Sequence, residues 1–182
     1  MIDRDRRTLL ALGAVLGLAP AAARAAGPPE LYRTSDPATL LAATRALLAE
    51  DRLGTFITVD ADGRPRARTV FLSAPGGDLT LWIATRPGSR KLAQLAARPQ
   101  STVHVALDAK SSYASLMGTA AAVTDRDSVA ARNPYRGEML TRFFPDYPAD
   151  LALIAFRPDW LEVTTEALPG RKDTWQPEGL AL

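Results

Sequence analysis

The clearest candidate chemistry in this chain sits in the stretch from Thr85 to Lys91, where Pro87-Gly88 forms a turn and Ser89, Arg90 and Lys91 follow directly. After them "LAQLAARP" has helical spacing and ends at Pro99, so Ser89 is placed to cap a helix and the two cations lie in its first turn. The N-terminal end of a helix already carries partial positive charge, and acidic residues are the stabilising choice there. An anion bound at that end removes the conflict, because free backbone N–H groups, the serine hydroxyl and both cations can converge on it. A phosphate, with close to two negative charges, is the natural occupant.

A second group of cations supports the same chemistry. Arg64, Arg66 and Arg68 alternate along "RPRARTVFL" and share one strand face, a row continued by Val70 and Leu72. Like charges on one face repel unless water or an anion meets them. A solvated outer face and an anion site are both compatible with the row alone.

These residues need a scaffold of strands and short helices. "SDPATLLAATRALLAEDRLG" predicts an amphipathic helix with Asp36 as cap, Pro37 in the first position and Leu40, Leu41, Thr44, Leu47 and Leu48 on one face. The period then changes to two. "GTFITVD" and "RPRARTVFL" form a hairpin around "ADG", and "LTLWIAT", "STVHVAL", "YASLMGTAAAVT" and "LALIAFRP" add four further strands, the last followed by "WLEVTTE". Pro134 opens another helix, "PYRGEMLTRFF", stopped by Pro145. Six or more short strands with few helices favour a single closed antiparallel barrel.

The 182 residues, 47% hydrophobic and 23% charged, suit one domain, and the absence of cysteine excludes disulfides, thiolate metal sites and cysteine nucleophiles. Residues 1–25 read as a signal peptide. A charged start precedes the apolar run Leu9–Ala19, and Ala23-Arg24-Ala25 supplies a small-residue cleavage site. The run is shorter than the roughly 20 residues that a membrane-spanning helix needs. Arg6-Arg7 is the pair of a twin-arginine signal, so a periplasmic or secreted, folded protein is expected. Residues 26–36, with Gly27-Pro28-Pro29, form a linker, and 37–182 form the domain. The signal carries four arginines against two aspartates, and the whole chain is at +2, so the remainder is neutral. A broad basic surface for nucleic acid is therefore not supported, and any positive charge that matters must be local.

"GRPRARTVFL" followed by "WIATRPGSRKLAQLAARPQSTVHVAL" resembles the pyridoxamine 5′-phosphate oxidase family, over about Leu40 to Trp160. "FFPDYP" is closer to its short general-stress-protein branch. The resemblance implies a mainly β (α+β) fold: a six-stranded antiparallel split β-barrel with a few short helices, paired as a homodimer with FMN at the interface. Carried over residue by residue, Arg68, Ser89, Arg90 and Lys91 would hold the FMN phosphate and ribityl chain. Thr69, Val70 and Thr85 would line the flavin. Tyr113 stands where the family often uses a glutamine from the neighbouring subunit. Two departures concern the substrate. Ser73 replaces the lysine at the end of the arginine-bearing strand, and "PGRKDTW" offers Arg171 without the histidine that follows in the oxidase. An exported FMN-dependent oxidoreductase acting on another small substrate is expected, rather than a pyridoxamine 5′-phosphate oxidase.

Other motifs carry less. His104, the only histidine, lies in an apolar strand and reads as a core or interface residue. A serine hydrolase lacks its G-x-S-x-G, and "DADG" lacks the spacing of a calcium loop. Trp82, Trp160 and Trp175 read as core or interface residues, and Trp175 could also cover a flavin. Three alternatives remain open at this level. One is a flavin-binding protein without turnover. Another is a relative that uses a deazaflavin, or a haem for which His104 is the sole histidine ligand. The third is an envelope interaction protein that has kept the barrel but not the ligand.

Overall fold

The computed structural model describes residues 32–182 apart from 35, 51 and 108–110. The expected signal peptide, and the linker as far as residue 31, lie outside the described residues. Helix α1 (Pro37–Glu50) starts where Asp36 Oδ1 accepts the Thr39 N–H at 3.1 Å. Hydrogen bonds from Thr39 hold the Asp36 carboxyl below its ordinary pKa. Leu40, Thr44, Leu47 and Leu48 form the buried stripe, with Leu41 half-buried beside it.

Strands β1 (Leu53–Val59) and β2 (Pro65–Phe71) form the expected hairpin, with Leu53 opposite Phe71 and Val59 opposite Pro65. Asp60 organises the turn. Its Oδ1 accepts the Asp62 and Arg64 N–H groups at 3.0 and 2.9 Å, and its Oδ2 takes Arg66 Nε at 2.6 Å. Gly63 supplies the positive φ of +80° that the turn requires. The chain continues through β3 (Leu81–Thr85), α2 (Arg90–Ala97), β4 (Gln100–Leu107), β5 (Ser112–Val123), α3 (Arg126–Arg132), α4 (Glu138–Phe143), β6 (Ala152–Thr164) and β7 (Glu178–Ala181).

The sheet order is β2-β1-β4-β5-β6-β3, with β7 added to β6, and every pairing is antiparallel. The expected split barrel is present, and β7 is a strand beyond the six read from the sequence. The two ends of the sheet meet only at the bridge Leu72–Ile83, so the barrel is not closed by a continuous ladder as the strand pattern alone suggested. "LALIAFRP" and "WLEVTTE" are one long strand. Pro158 has no N–H to donate, and the ladder accommodates it at an irregularity where Met117 pairs with Trp160 and Gly118 with Pro158, leaving Asp159 over. The first half of β6 pairs with β3 and its second half with β7, while β5 covers its whole opposite edge.

Two apolar clusters result. Phe56 and Phe156 meet edge to face at 6.4 Å inside the barrel, among Leu40, Leu48, Val103 and Leu116. Val129, Tyr135, Phe144, Leu151 and Leu153 form a smaller cluster under α3 and α4, with Trp82 and Ala84 packed against it. Helix α3 was not read from the sequence, although Asp125 caps it by accepting the Ser128 N–H at 2.9 Å. The helix expected from Pro134 shrinks to α4, because Gly137 takes φ +66° directly before it.

A Cβ on Gly118 would lie 2.1 Å from the Arg157 carbonyl oxygen and 2.6 Å from the Pro158 Cα. Gly118→Ala should therefore destabilise the fold by roughly 1–3 kcal/mol. An unchanged urea midpoint would mean that β5 and β6 can separate there without cost.

Candidate functional site

The cations of α2 and β2 come together around two sets of neutral oxygens. Ser89 occupies the N-cap of α2, but its side chain makes no cap hydrogen bond. Instead Lys91 Nζ donates to Thr85 Oγ1 at 2.7 Å, and Thr85 Oγ1 donates to Ser89 Oγ at 3.0 Å. Thr85 is buried, Ser89 and Lys91 are half-buried, and Arg90 is exposed. Across from them Arg68 Nη1 donates to Thr58 Oγ1 at 2.7 Å and Nη2 to Gln94 Oε1 at 3.1 Å. The guanidinium also lies 6.0 Å from the centre of the Phe56 ring.

The arginine row divides along its length. Arg64 and Arg66 are exposed, and Arg66 is engaged by Asp60. Arg68 is half-buried, and Val70 and Leu72 are buried. Only Arg68 reaches the α2 cations. No carboxylate among the described residues lies within ion-pair distance of Arg68, Arg90 or Lys91. Burial, then the charges of Arg90 and Arg66, lowers the pKa of Arg68. Burial, then Arg68, lowers that of Lys91. The free protein thus holds half-buried positive charge that an anion would offset.

A cavity of about 540 Å³ opens beside Lys91. Thr69 and Val70 of β2 form one wall, and Met139, Phe143 and Phe144 of the α4 region form the other. Its volume is within the range of roughly 300–1,000 Å³ usual for small-molecule sites. The lining is mainly apolar, which suits a flat aromatic ring, and of its three charged residues, Lys91, Glu138 and Arg142, it is Lys91 that adjoins the cation cluster. The residues present therefore fit a group with an anionic end and an aromatic end. The α4 wall was missed in the sequence, as were Thr58 and Gln94. Gln94 follows Arg90 by one helical turn, the only local sign of its role.

Tyr113 is not part of this arrangement. It lies in β5 between buried Ser112 and Ala114, so it faces the opposite side of the sheet. It lines a separate cavity of about 700 Å³ with Arg171, Lys172 and Trp175. Trp175 is 92% exposed, contrary to a core position. His104 is half-buried on the same outer face, with Nδ1 2.8 Å from Ser115 Oγ and its ring 5.5 Å from that of Tyr113. Ser73, in place of the family's lysine, is buried and donates to the Ala74 carbonyl while accepting the Trp82 N–H.

A model of the family described as pyridoxamine 5′-phosphate oxidase matches residues 40–165, which span both cation groups and the whole path from β1 to β6. The chain belongs to the pyridoxamine 5′-phosphate oxidase family. Among solved structures it is similar to a Clostridium acetobutylicum protein related to general stress protein 26 of B. subtilis, at 15% identity and TM-score 0.66, covering 79% of this chain and 95% of that one. A heme binding protein from Mycobacterium smegmatis has 17% identity and TM-score 0.58, with coverage of 76% and 56%. An FMN binding protein related to the oxidase, from Nostoc punctiforme, has 16% identity and TM-score 0.54, with coverage of 82% and 97%. No curated protein matches by sequence. At these identities the structures share the split-barrel fold, and the neighbours of that fold include proteins named for either cofactor.

Besides Ser73, a second side chain ties the open seam of the oxidase-family barrel. The Tyr135 hydroxyl is shared between the carbonyls of Phe71, at 2.9 Å, and Trp82, at 2.6 Å. Burial pushes its pKa well above the ordinary tyrosine value, so it remains a donor at physiological pH. Tyr135→Phe should lower stability by about 1 kcal/mol. An unchanged denaturation midpoint would show that the seam does not need the hydroxyl.

Proposed function

We propose that the protein binds FMN, with the phosphate at Arg68, Ser89, Arg90 and Lys91 and the flavin ring beside Thr69 and Val70, and acts as an oxidoreductase on a small substrate. The observation that carries this reading is the cluster of cations without a carboxylate partner at the mouth of an apolar cavity. The name of the Nostoc relative supports the choice of FMN.

The flavin, when bound, supplies hydride or electron transfer. The chain's own residues would supply the rest. Lys91, fixed by Thr85, and Arg68, fixed by Thr58, would bind and orient the phosphate. Met139, Phe143 and Phe144 would limit water at the ring. Thr85 serves the site indirectly, through Lys91, rather than by touching the ring. With Ser73 committed to the β2–β3 junction, the lysine that serves the phosphorylated substrate in the oxidase has no replacement at that position.

A homodimer belongs to the same proposal, since Tyr113, Arg171 and Trp175 gather at a second cavity on the other side of the sheet, where a partner copy could use them. Export by the twin-arginine route, read from Arg6-Arg7, would let a folded protein carry cytoplasmic FMN with it. A haem reading has less support, because His104, the one histidine, packs beside Tyr113 and does not line the cavity beside Lys91.

The protein purified without added cofactor should show a flavin absorbance spectrum and release FMN on denaturation. Replacing Arg90 and Lys91 together with alanine should weaken FMN binding by about a hundredfold or more while preserving the circular dichroism spectrum. A colourless protein that also fails to take up added FMN would remove the basis of the proposal.

The pH dependence follows from Lys91. Its lowered pKa means that the ammonium of the free protein begins to lose its proton below the ordinary lysine range. FMN affinity should be retained at neutral pH and fall as pH rises through that lowered value. The alkaline decline should vanish in Lys91→Met, and its persistence there would assign it to another group.

A further inference from the structure

Two short hydrogen-bond relays start at the cations, and chemistry fixes the direction of the one that starts at Arg68. A lysine ammonium can only donate, so Thr85 Oγ1 accepts from Lys91, and the same hydroxyl is hydrogen-bonded to Ser89 Oγ. An arginine can also only donate. Thr58 Oγ1, fully buried, therefore accepts from Arg68 at 2.7 Å and gives its proton to Gln94 Oε1 at 2.6 Å.

Gln94 Oε1 thus receives two donors, Thr58 Oγ1 and Arg68 Nη2. This fixes which end of the amide faces inward and leaves Nε2 on the other side. Among the described residues Nε2 meets no acceptor. Gln94 lies three and four residues beyond Lys91 and Arg90, on their face of α2.

We propose that Gln94 is a further phosphate-binding and positioning residue: its carbonyl oxygen holds the Arg68 guanidinium in place, and its amide N–H groups donate to the phosphate. The inference rests on reading the site as a phosphate cradle, and adds a residue that the family resemblance did not carry over. A neutral side chain is what the position requires. Glutamine offers Arg68 an acceptor without cancelling its charge. Glutamate would pair with Arg68 and repel a dianion, and leucine would leave the buried Thr58 hydroxyl without its acceptor.

The test compares Kd values for FMN and riboflavin in the unsubstituted protein, Gln94→Glu and Gln94→Leu. The two ligands differ only in the phosphate. Gln94→Glu should weaken FMN binding roughly tenfold or more, as expected for loss of hydrogen bonds to a charged group. Riboflavin affinity should not change. Gln94→Leu should show the same selective loss to a smaller extent, and it decides the question if Gln94→Glu does not fold. Equal FMN affinity in all three proteins would overturn the inference, and so would parallel loss of FMN and riboflavin, the mark of a purely structural role. If the unsubstituted protein binds neither flavin, the FMN reading fails and inorganic phosphate decides this one separately. A rise in thermal midpoint with phosphate at constant ionic strength, lost in the Gln94 variants, would sustain it. An identical response in all three, or no response in any, would overturn it.

Discussion

Positive charge held in place without negative charge is the constraint around which the rest of this structure is arranged. Arg68 and Lys91 are both half-buried, and burial is the first cause of the lowered pKa in each. Their immediate partners are all neutral: the hydroxyls of Thr58 and Thr85, the amide oxygen of Gln94 and the backbone carbonyl of Phe56. Neutral acceptors orient a cation without discharging it, so the charge stays available to a ligand. The chain does use carboxylates where a cation is structural, as in Asp60 with Arg66 at the β1–β2 turn.

Holding those cations requires elements from distant parts of the chain. Thr58 and Arg68 come from the β1–β2 hairpin, where Phe56 pairs with Arg68 and Thr58 with Arg66. Lys91 and Gln94 come from α2, which packs through Leu95 on the barrel. Arg98, just past α2, donates to the Asp60 and Ala61 carbonyls and so fastens the helix to the hairpin turn. The cavity has its own support, since Phe144 in its wall belongs to the smaller apolar cluster and Tyr135 of that cluster pins β2 to β3. Anion site and cavity meet at Lys91.

The two ends of the proposed site differ in how far they follow the family. The phosphate end keeps its serine, arginines and lysine. At the substrate end, Ser73 has become part of the barrel seam, and Arg171 is paired with Asp173 near an exposed Trp175. A scaffold that positions a cofactor constrains the cofactor's binding residues more tightly than those that select a substrate, which is how one barrel can serve different chemistry.

The sequence by itself determined the local structure. The alternation of β1 and β2, the Asp60-to-Gly63 turn, the apolar stripe of α1 and the placing of Ser89, Arg90 and Lys91 at a helix start all follow from near-neighbour rules of period, capping and turn chemistry. It also showed that cations occupy a helix end where acids belong, and hence that an anion is wanted. Only the tertiary structure decided which arginine of the row joins them, because that depends on where β2 meets α2 and on Asp60 engaging Arg66. It also paired Gln94 with Thr58, 36 positions away, and set α4 across a cavity from β2. It set Tyr113 on the opposite side of the sheet. The physical reason is the same in each case: a contact made across the sheet is fixed by strand order and register, and neither leaves a mark on the residues immediately around it.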